Sequence, residues 1–162
     1  MPRDRIARTL RHDEVPWVRA ADLKDRYLPR PVVLVNGAFD VLHSGHMKVL
    51  FHARRQGRTV VVAMDSDARV AKSKVGRPIQ TWVERATTMN YMPVDYVVEI
   101  GSQRDMTNLI RAIQPNLRVQ GGDHSSAPSH YPDVPKMFVR GTGMRTSKIV
   151  ARIEAAYAKR SV

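Results

Sequence analysis

The sequence predicts an α/β protein of three layers, with helices on both faces of a mostly parallel five-stranded sheet. Two observations carry that expectation. From Val32 onward, short apolar runs alternate strictly with longer segments of helical period. The runs are apolar at consecutive positions, as strands covered on both faces are. Strict alternation of strand and helix implies right-handed crossovers and parallel pairing.

Each element has its own local signal. Val32–Val35 reads as a buried strand and Gly45–Gln56 as a helix, with Gly57 as its C-cap. Thr59–Met64 is a second strand, Trp82–Tyr91 a helix and Val94–Val98 a third strand. Arg104–Ile113 is helical and stops before Pro115, because the residue preceding a proline is biased away from helical geometry. Leu117–Val119 and Met137–Val139 are short strands, and Thr146–Ala158 is a closing amphipathic helix. Residues 1–30 are polar, punctuated by Pro16 and Pro29, with a short helix expected within Ala20–Leu28. They are expected to form an extension packed on a single domain, residues 31–162. The whole is a Rossmann-like arrangement, in which ligands bind beyond the carboxyl ends of the strands.

Composition narrows the function classes. The 162 residues are 43% hydrophobic and 26% charged, which is a globular balance. No apolar run approaches the roughly 20 residues of a membrane helix, and Met1-Pro2-Arg3-Asp4-Arg5 lacks the apolar core of a secretion signal. The absence of cysteine excludes disulfides, thiolate metal sites and cysteine nucleophiles, and fits a cytoplasmic protein. The net charge of +12 is concentrated at one end, where residues 136–162 hold seven Lys/Arg against one acidic residue. Such a field attracts nucleic acid or a polyphosphate. No interleaved aromatics or zinc spacing accompany it, so the polyphosphate is the expected partner.

The most informative stretch is Gly37-Ala38-Phe39-Asp40-Val41-Leu42-His43-Ser44-Gly45-His46, which follows the first strand. Two imidazoles three residues apart at a helix start join free backbone N–H groups at one point. That combination suits an anion, phosphate above all. Gly45 allows close backbone approach, and His43 and His46 can donate N–H groups to phosphate oxygens. A charged imidazole there would oppose negative charge developing at phosphorus. Asp40 is a candidate for holding a ligand hydroxyl or an imidazole, whereas the Phe39 and Leu42 side chains read as core.

This segment, read as Asn36-Gly37-x-Phe39-Asp40-x-Leu42-His43-x-Gly45-His46, resembles the signature of the cytidylyltransferase-like nucleotidylyltransferase superfamily. The likeness is strongest to the heptose-phosphate adenylyltransferases and the glycerol-phosphate cytidylyltransferases. It implies that the histidine pair binds a nucleoside triphosphate, with the backbone of Gly37, Ala38 and Phe39 beside it. Further stations follow in the family's order. Asp65-Ser66-Asp67 precedes Lys72-Ser73-Lys74, where the resemblance places a catalytic lysine, first Lys74 and then Lys72. A mobile cation is what two approaching phosphates require. Arg77-Pro78 and the helical Arg85 are secondary candidates, Arg85 for phosphate or for a dimer contact. Gln120-Gly121-Gly122-Asp123-His124 is similar to a Lys-Gly-Gly-Asp-Tyr turn in which Gly122 and Asp123 would meet base or ribose. Gln120 and His124 depart from that pattern. Arg145-Thr146-Ser147 opens the last helix, where hydroxyls and N–H groups would cap the helix and cradle phosphates.

The resemblance implies transfer of AMP, or alternatively CMP, from a nucleoside triphosphate to a sugar or polyol phosphate, with pyrophosphate leaving. ATP is favoured over CTP. Mg²⁺ is expected to arrive on the triphosphate, mostly water-bound, without a protein metal site. A homodimer is implied by the same likeness. The alternative is a nucleotide-binding sensor or nucleic-acid accessory without turnover.

Overall fold

The computed structural model describes residues 17–122 and 131–159. Five strands form one all-parallel sheet in the order β3-β2-β1-β4-β5. They are β1 (Val32–Gly37), β2 (Thr59–Asp65), β3 (Tyr96–Ile100), β4 (Leu117–Gly121) and β5 (Lys136–Val139). The helices are α1 (Ala20–Lys24), α2 (Ser44–Gln56), α3 (Asp67–Ser73), α4 (Trp82–Met89), α5 (Gln103–Ile113) and α6 (Thr146–Ala158). The expected fold class is therefore the observed one.

The central strands explain the unbroken apolar runs. Val32–Val35 and Val60–Met64 are buried throughout, because alternate side chains point into two separate cores. Val33, Val35, Val60, Val62 and Met64 meet Leu50 and Ala53 of α2 and Ala86 and Met89 of α4. On the other face Val32, Leu34, Val61 and Ala63 meet Leu23 of α1 and Met106, Leu109 and Ile113 of α5. Val18, Ala20, Leu23 and Leu28 pack on that second face, with the Val18 N–H donating to the Val97 carbonyl at 3.2 Å, whereas Trp17 packs on the first.

Among the departures from the expected elements, two have clear local causes. The third strand starts at Tyr96 and not Val94, because the Asp95 carboxylate turns aside to accept from Arg54 Nη2 (2.6 Å) and the Val60 N–H (2.7 Å). Helix α3 has no counterpart in the sequence reading. It is seven residues long, buries only Val70 and so has no apolar period to read. Its start is local chemistry: the Ser66 hydroxyl accepts from the Arg69 N–H at 3.2 Å, and Arg69 pairs with Asp65 at 2.9 Å.

Leu50 is fully buried where α2 crosses the sheet. Leu50→Ala is expected to destabilise the protein by about 2–5 kcal/mol, read as a lower midpoint in urea unfolding. A shift below ~1 kcal/mol would show that this interface tolerates a cavity.

Candidate active site

The turn after β1 is strained and pinned. Phe39 and Val41 both lie in the left-handed region, each at φ 51°, a conformation unfavourable for bulky or β-branched residues. Asp40 between them holds the turn. Its carboxylate is buried and accepts from Arg77 Nε, from the Ile79 N–H (2.9 Å) and from the Gln80 N–H (3.0 Å). Gln80 Oε1 accepts from the Val41 N–H at 2.9 Å, and the Asp40 carbonyl accepts from the Thr146 hydroxyl at 2.8 Å. Burial alone would push the Asp40 carboxyl up. The Gln80 and Ile79 N–H groups and the Arg77 guanidinium outweigh it and hold the group below the ordinary carboxylate value. The expectation that Asp40 holds a ligand hydroxyl is thus corrected, because its oxygens are spent on three protein donors. Arg77 is committed to the same carboxylate and is only 10% exposed, so it is neither a plain turn residue nor a free phosphate arm. Phe39 is core, its ring tilted against His46 at 5.3 Å between centroids.

His43 is the N-cap of α2, and its Nδ1 accepts from the Gly45 N–H at 3.1 Å. A neutral His43 therefore carries its proton on Nε2, which is free of the cap and able to donate. Gly45 is required by that cap. A Cβ there would lie 2.9 Å from His43 Cε1 and 3.3 Å from the Met144 carbonyl, so the glycine makes room for protein atoms rather than for a ligand. His46 stacks on His43 with centroids 3.8 Å apart, and its Nδ1 is buried without a partner. Burial lowers both pKa values; His46 falls to about 4, with the charges of His43, Lys74 and Arg77 adding to the effect. The charged imidazole expected from sequence is corrected accordingly. Without an anion beside it, His46 is neutral at pH 7.

Arg85 is a positioning residue. It is fully buried and donates to the carbonyls of Ala38, Gln80 (3.1 Å) and Asp65 (3.0 Å) and to Asp67 Oδ1 (2.7 Å). It ties the ends of β1 and β2 to the start of α3. That burial corrects both roles expected of it, the phosphate contact and the dimer contact. Lys72 and Lys74 lie in the last turn and at the C-cap of α3, both exposed. The Lys74 charge acts on His46 and on Asp65.

From the opposite side, the β5–α6 connection packs on the start of α2, with Ser44 Oγ 3.1 Å from Thr142 Oγ1. Arg145 holds the N-cap position of α6 with extended backbone, and its side chain does not cap the helix. Thr146 is buried and bonded to Asp40, so its hydroxyl neither caps nor faces a ligand; Ser147 is exposed in the first turn. The N-termini of α2 and α6 thus converge beyond β1, each with N–H groups that no helical carbonyl can reach. Gly37 and Ala38 lie half-buried at the end of β1. A Cβ at Gly122 would meet the Val139 carbonyl at 3.4 Å, an ordinary contact, so the packing of β4 on β5 does not itself demand a glycine there. Gln120 Nε2 donates to Asn36 Oδ1 at 3.1 Å, a cross-strand role that sequence does not suggest. Asp123 lies outside the described residues. Among the described residues, no three His, Asp or Glu side chains gather as a metal site. The assembled groups can hold an extended anion: two imidazoles, two helix starts and an exposed lysine.

Asp40→Ala would leave a guanidinium and two N–H groups buried without an acceptor, at an expected cost of about 3–5 kcal/mol in urea unfolding; a cost under ~1 kcal/mol would remove Asp40 from its central place. His46 is depressed from 6.5 to about 4 on folding. Its contribution is therefore complete above pH 6.5 and is lost as pH falls toward 4, by up to about 3 kcal/mol. The urea midpoint of the wild type should drop across that window more steeply than that of His46→Gln. Parallel pH profiles would refute the assignment.

The model of the family described as "Cytidylyltransferase-like" matches residues 34–160. The "Bifunctional protein HldE" of Campylobacter concisus (strain 13826) is 38% identical over 134 residues, covering 78% of this chain and 28% of that protein. The same-named protein of Campylobacter curvus (strain 525.92) is 34% identical over 145 residues, 85% of this chain and 30% of the relative. The chain thus spans less than a third of the length of these relatives. Among solved structures, the "lipopolysaccharide core biosynthesis protein" from Thermoplasma volcanium superposes with a TM-score of 0.54 at 22% identity, over 70% of this chain and 98% of that one. "Pantothenate Synthetase" from Thermus thermophilus gives 0.58 at 16% identity, over 76% and 61%; both likenesses speak for the fold alone. The strand order, the histidine turn at the end of β1 and a family match over most of the length lead to one conclusion: the chain belongs to the cytidylyltransferase-like family.

Proposed function

We propose that this protein is a nucleotidylyltransferase that moves AMP from ATP onto a phosphorylated sugar or polyol. The observation that carries the reading is the stacked His43–His46 pair between the starts of α2 and α6, with the Lys74 charge acting on it. The reaction needs no covalent intermediate. An oxygen of the acceptor phosphate forms a bond to the α-phosphorus, the bond from that phosphorus to the bridging oxygen of the β-phosphate breaks, and pyrophosphate leaves with the electron pair. Both reactants are anions, so catalysis consists of alignment and charge neutralisation.

In this scheme His43 donates from Nε2, its Nδ1 being held by the Gly45 N–H. His46, neutral in the free protein, gains basicity as the triphosphate approaches and donates in turn. Lys74 bridges acceptor and α-phosphate, and the α6 N-terminus at Thr146 and Ser147, with Arg145, faces the β- and γ-phosphates. Base and ribose lie toward Gly122 at the end of β4. Mg²⁺ enters as part of the triphosphate substrate, coordinated by phosphate oxygens and water. ATP is preferred to CTP on the likeness of Asn36-Gly37, Arg77-Pro78 and Gly121-Gly122-Asp123 to adenylyltransferase motifs. A homodimer is supported by α6, whose residues from Ala151 onward are exposed, Ile153 at 52%, and by the exposed Phe51 of α2 at 57%. The setting is the cytoplasm; no helix among the described residues is long and apolar enough to cross a membrane.

The test is pyrophosphate release with ATP, CTP, GTP and UTP across a panel of sugar and polyol phosphates. His46→Ala and Lys74→Ala should each lower kcat at least tenfold while the fold stays intact by circular dichroism, and Lys72→Ala should cost less than threefold. Nucleotide binding without pyrophosphate release for every acceptor would instead favour the sensor reading.

A further inference from the structure

A cavity of about 690 Å³ opens at the carboxyl ends of β2 and β3, within the range of small-molecule sites, about 300–1,000 Å³. Its walls include Ser66 after β2, Glu99 and Gly101 at the end of β3, Asn108 of α5, and Trp82 at the start of α4. The remaining wall is Trp17–Asp22, a segment that precedes the family match at residue 34.

Three features define what the cavity suits. First, it is aromatic: Trp17 and Trp82 meet edge to face with centroids 5.1 Å apart and planes at 72°. Both indole Nε1–H groups are buried without an acceptor. Second, it offers unspent hydrogen-bonding groups. Asp105 is used within the start of α5 and Ser66 in capping α3. Glu99 and Asn108 are exposed and, among the described residues, have no bonded partner. Third, its charge is acidic, with Asp22, Glu99 and Asp105 against Arg19. A phosphate is therefore repelled from it, whereas a neutral body with C–H faces and several hydroxyls is accommodated.

Its position gives that body a purpose. The sheet order β3-β2-β1-β4-β5 sets the cavity at the β3–β2 side, the histidines at β1 and Gly121-Gly122 at β4. In-line displacement needs attacking and leaving oxygens on opposite sides of phosphorus. The cavity is also tied to the site: the Trp82 N–H donates to Asp67 Oδ2 at 3.0 Å, and Asp67 Oδ1 accepts from Arg85.

We propose that this cavity binds the polyhydroxylated body of the phosphorylated acceptor, with Trp17 and Trp82 as its stacking wall and Glu99 and Asn108 reading hydroxyls. The acceptor's phosphate then points out toward Lys74 and His46. The inference rests on the transfer reading above and adds the specificity determinants of its second substrate. It also gives residues 17–22 a role in choosing that substrate.

Trp17 and Trp82 are the chain's two tryptophans, so indole emission reports on this cavity. The full-length protein, free of nucleotide, is titrated with glucose 1-phosphate, mannose 1-phosphate, a heptose phosphate, glycerol 3-phosphate, inorganic phosphate and Mg-ATP. At least one sugar phosphate should shift the emission saturably, with inorganic phosphate and Mg-ATP leaving it unchanged. Glu99→Gln and Asn108→Ala should each raise the acceptor KM at least fivefold, with kcat and nucleotide KM within twofold and the melting temperature unchanged. A saturable, Glu99-dependent emission change without pyrophosphate release upholds the cavity while the transfer reading fails. Acceptor turnover with flat emission and unchanged acceptor KM in both variants overturns the cavity while transfer stands. An emission change as large with Mg-ATP alone assigns the cavity to the nucleotide and also overturns it.

Discussion

The buried carboxylate of Asp40 is the constraint on which the site depends. It joins the turn after β1, the segment Arg77–Gln80 and, through its own carbonyl, the first residue of α6. These pieces are 37 to 106 residues apart in sequence. Each bond to the carboxylate has a charged partner or a buried N–H, the class of hydrogen bond that is strong when made and costly when broken. The left-handed Phe39 and Val41 on either side persist because the centre residue is held from three directions.

Arg85 does for the β2 side what Asp40 does for the α6 side. Its guanidinium fork reaches the ends of two strands and the first turn of α3 at once, something a lysine's single ammonium would not do. Between these two anchors the carboxyl edge of the sheet becomes a rigid frame, and the groups left to meet a ligand are carried on it. Most of the site's charged residues are therefore internal struts. Among the described residues, the groups facing outward include imidazole edges, helix N-termini, Ser147, Lys72 and Lys74.

Burial holds the histidine pair toward its neutral form. Burial, the stacked neighbour at 3.8 Å and nearby cations all disfavour protonation of His46. In the proposed reaction a polyanion opposes those effects by supplying negative charge. A neutral, preorganised donor pair also avoids holding two adjacent cations in the empty protein.

Much of the fold is legible in the sequence. Unbroken valine runs mark strands covered on both faces, Pro115 stops α5, and α6 spans the expected residues. The histidine spacing marks the candidate site at the end of β1, because motif and helix start are both local signals. Local signals do not reveal which charges are already satisfied. Asp40, Arg77, Arg85 and Thr146 look like ligand groups in sequence, and tertiary structure makes them partners of one another and of the backbone. Nor can the pattern show α3, too short to have a period, or bring Trp17 beside Trp82 from a distant part of the chain. The sequence by itself determined the strand–helix order and the chemistry at the end of β1, since backbone periodicity and neighbour spacing write both. Only the folded chain decided which polar groups are spent in holding the frame and which remain for a substrate, because that depends on burial and on contacts between residues far apart in the chain.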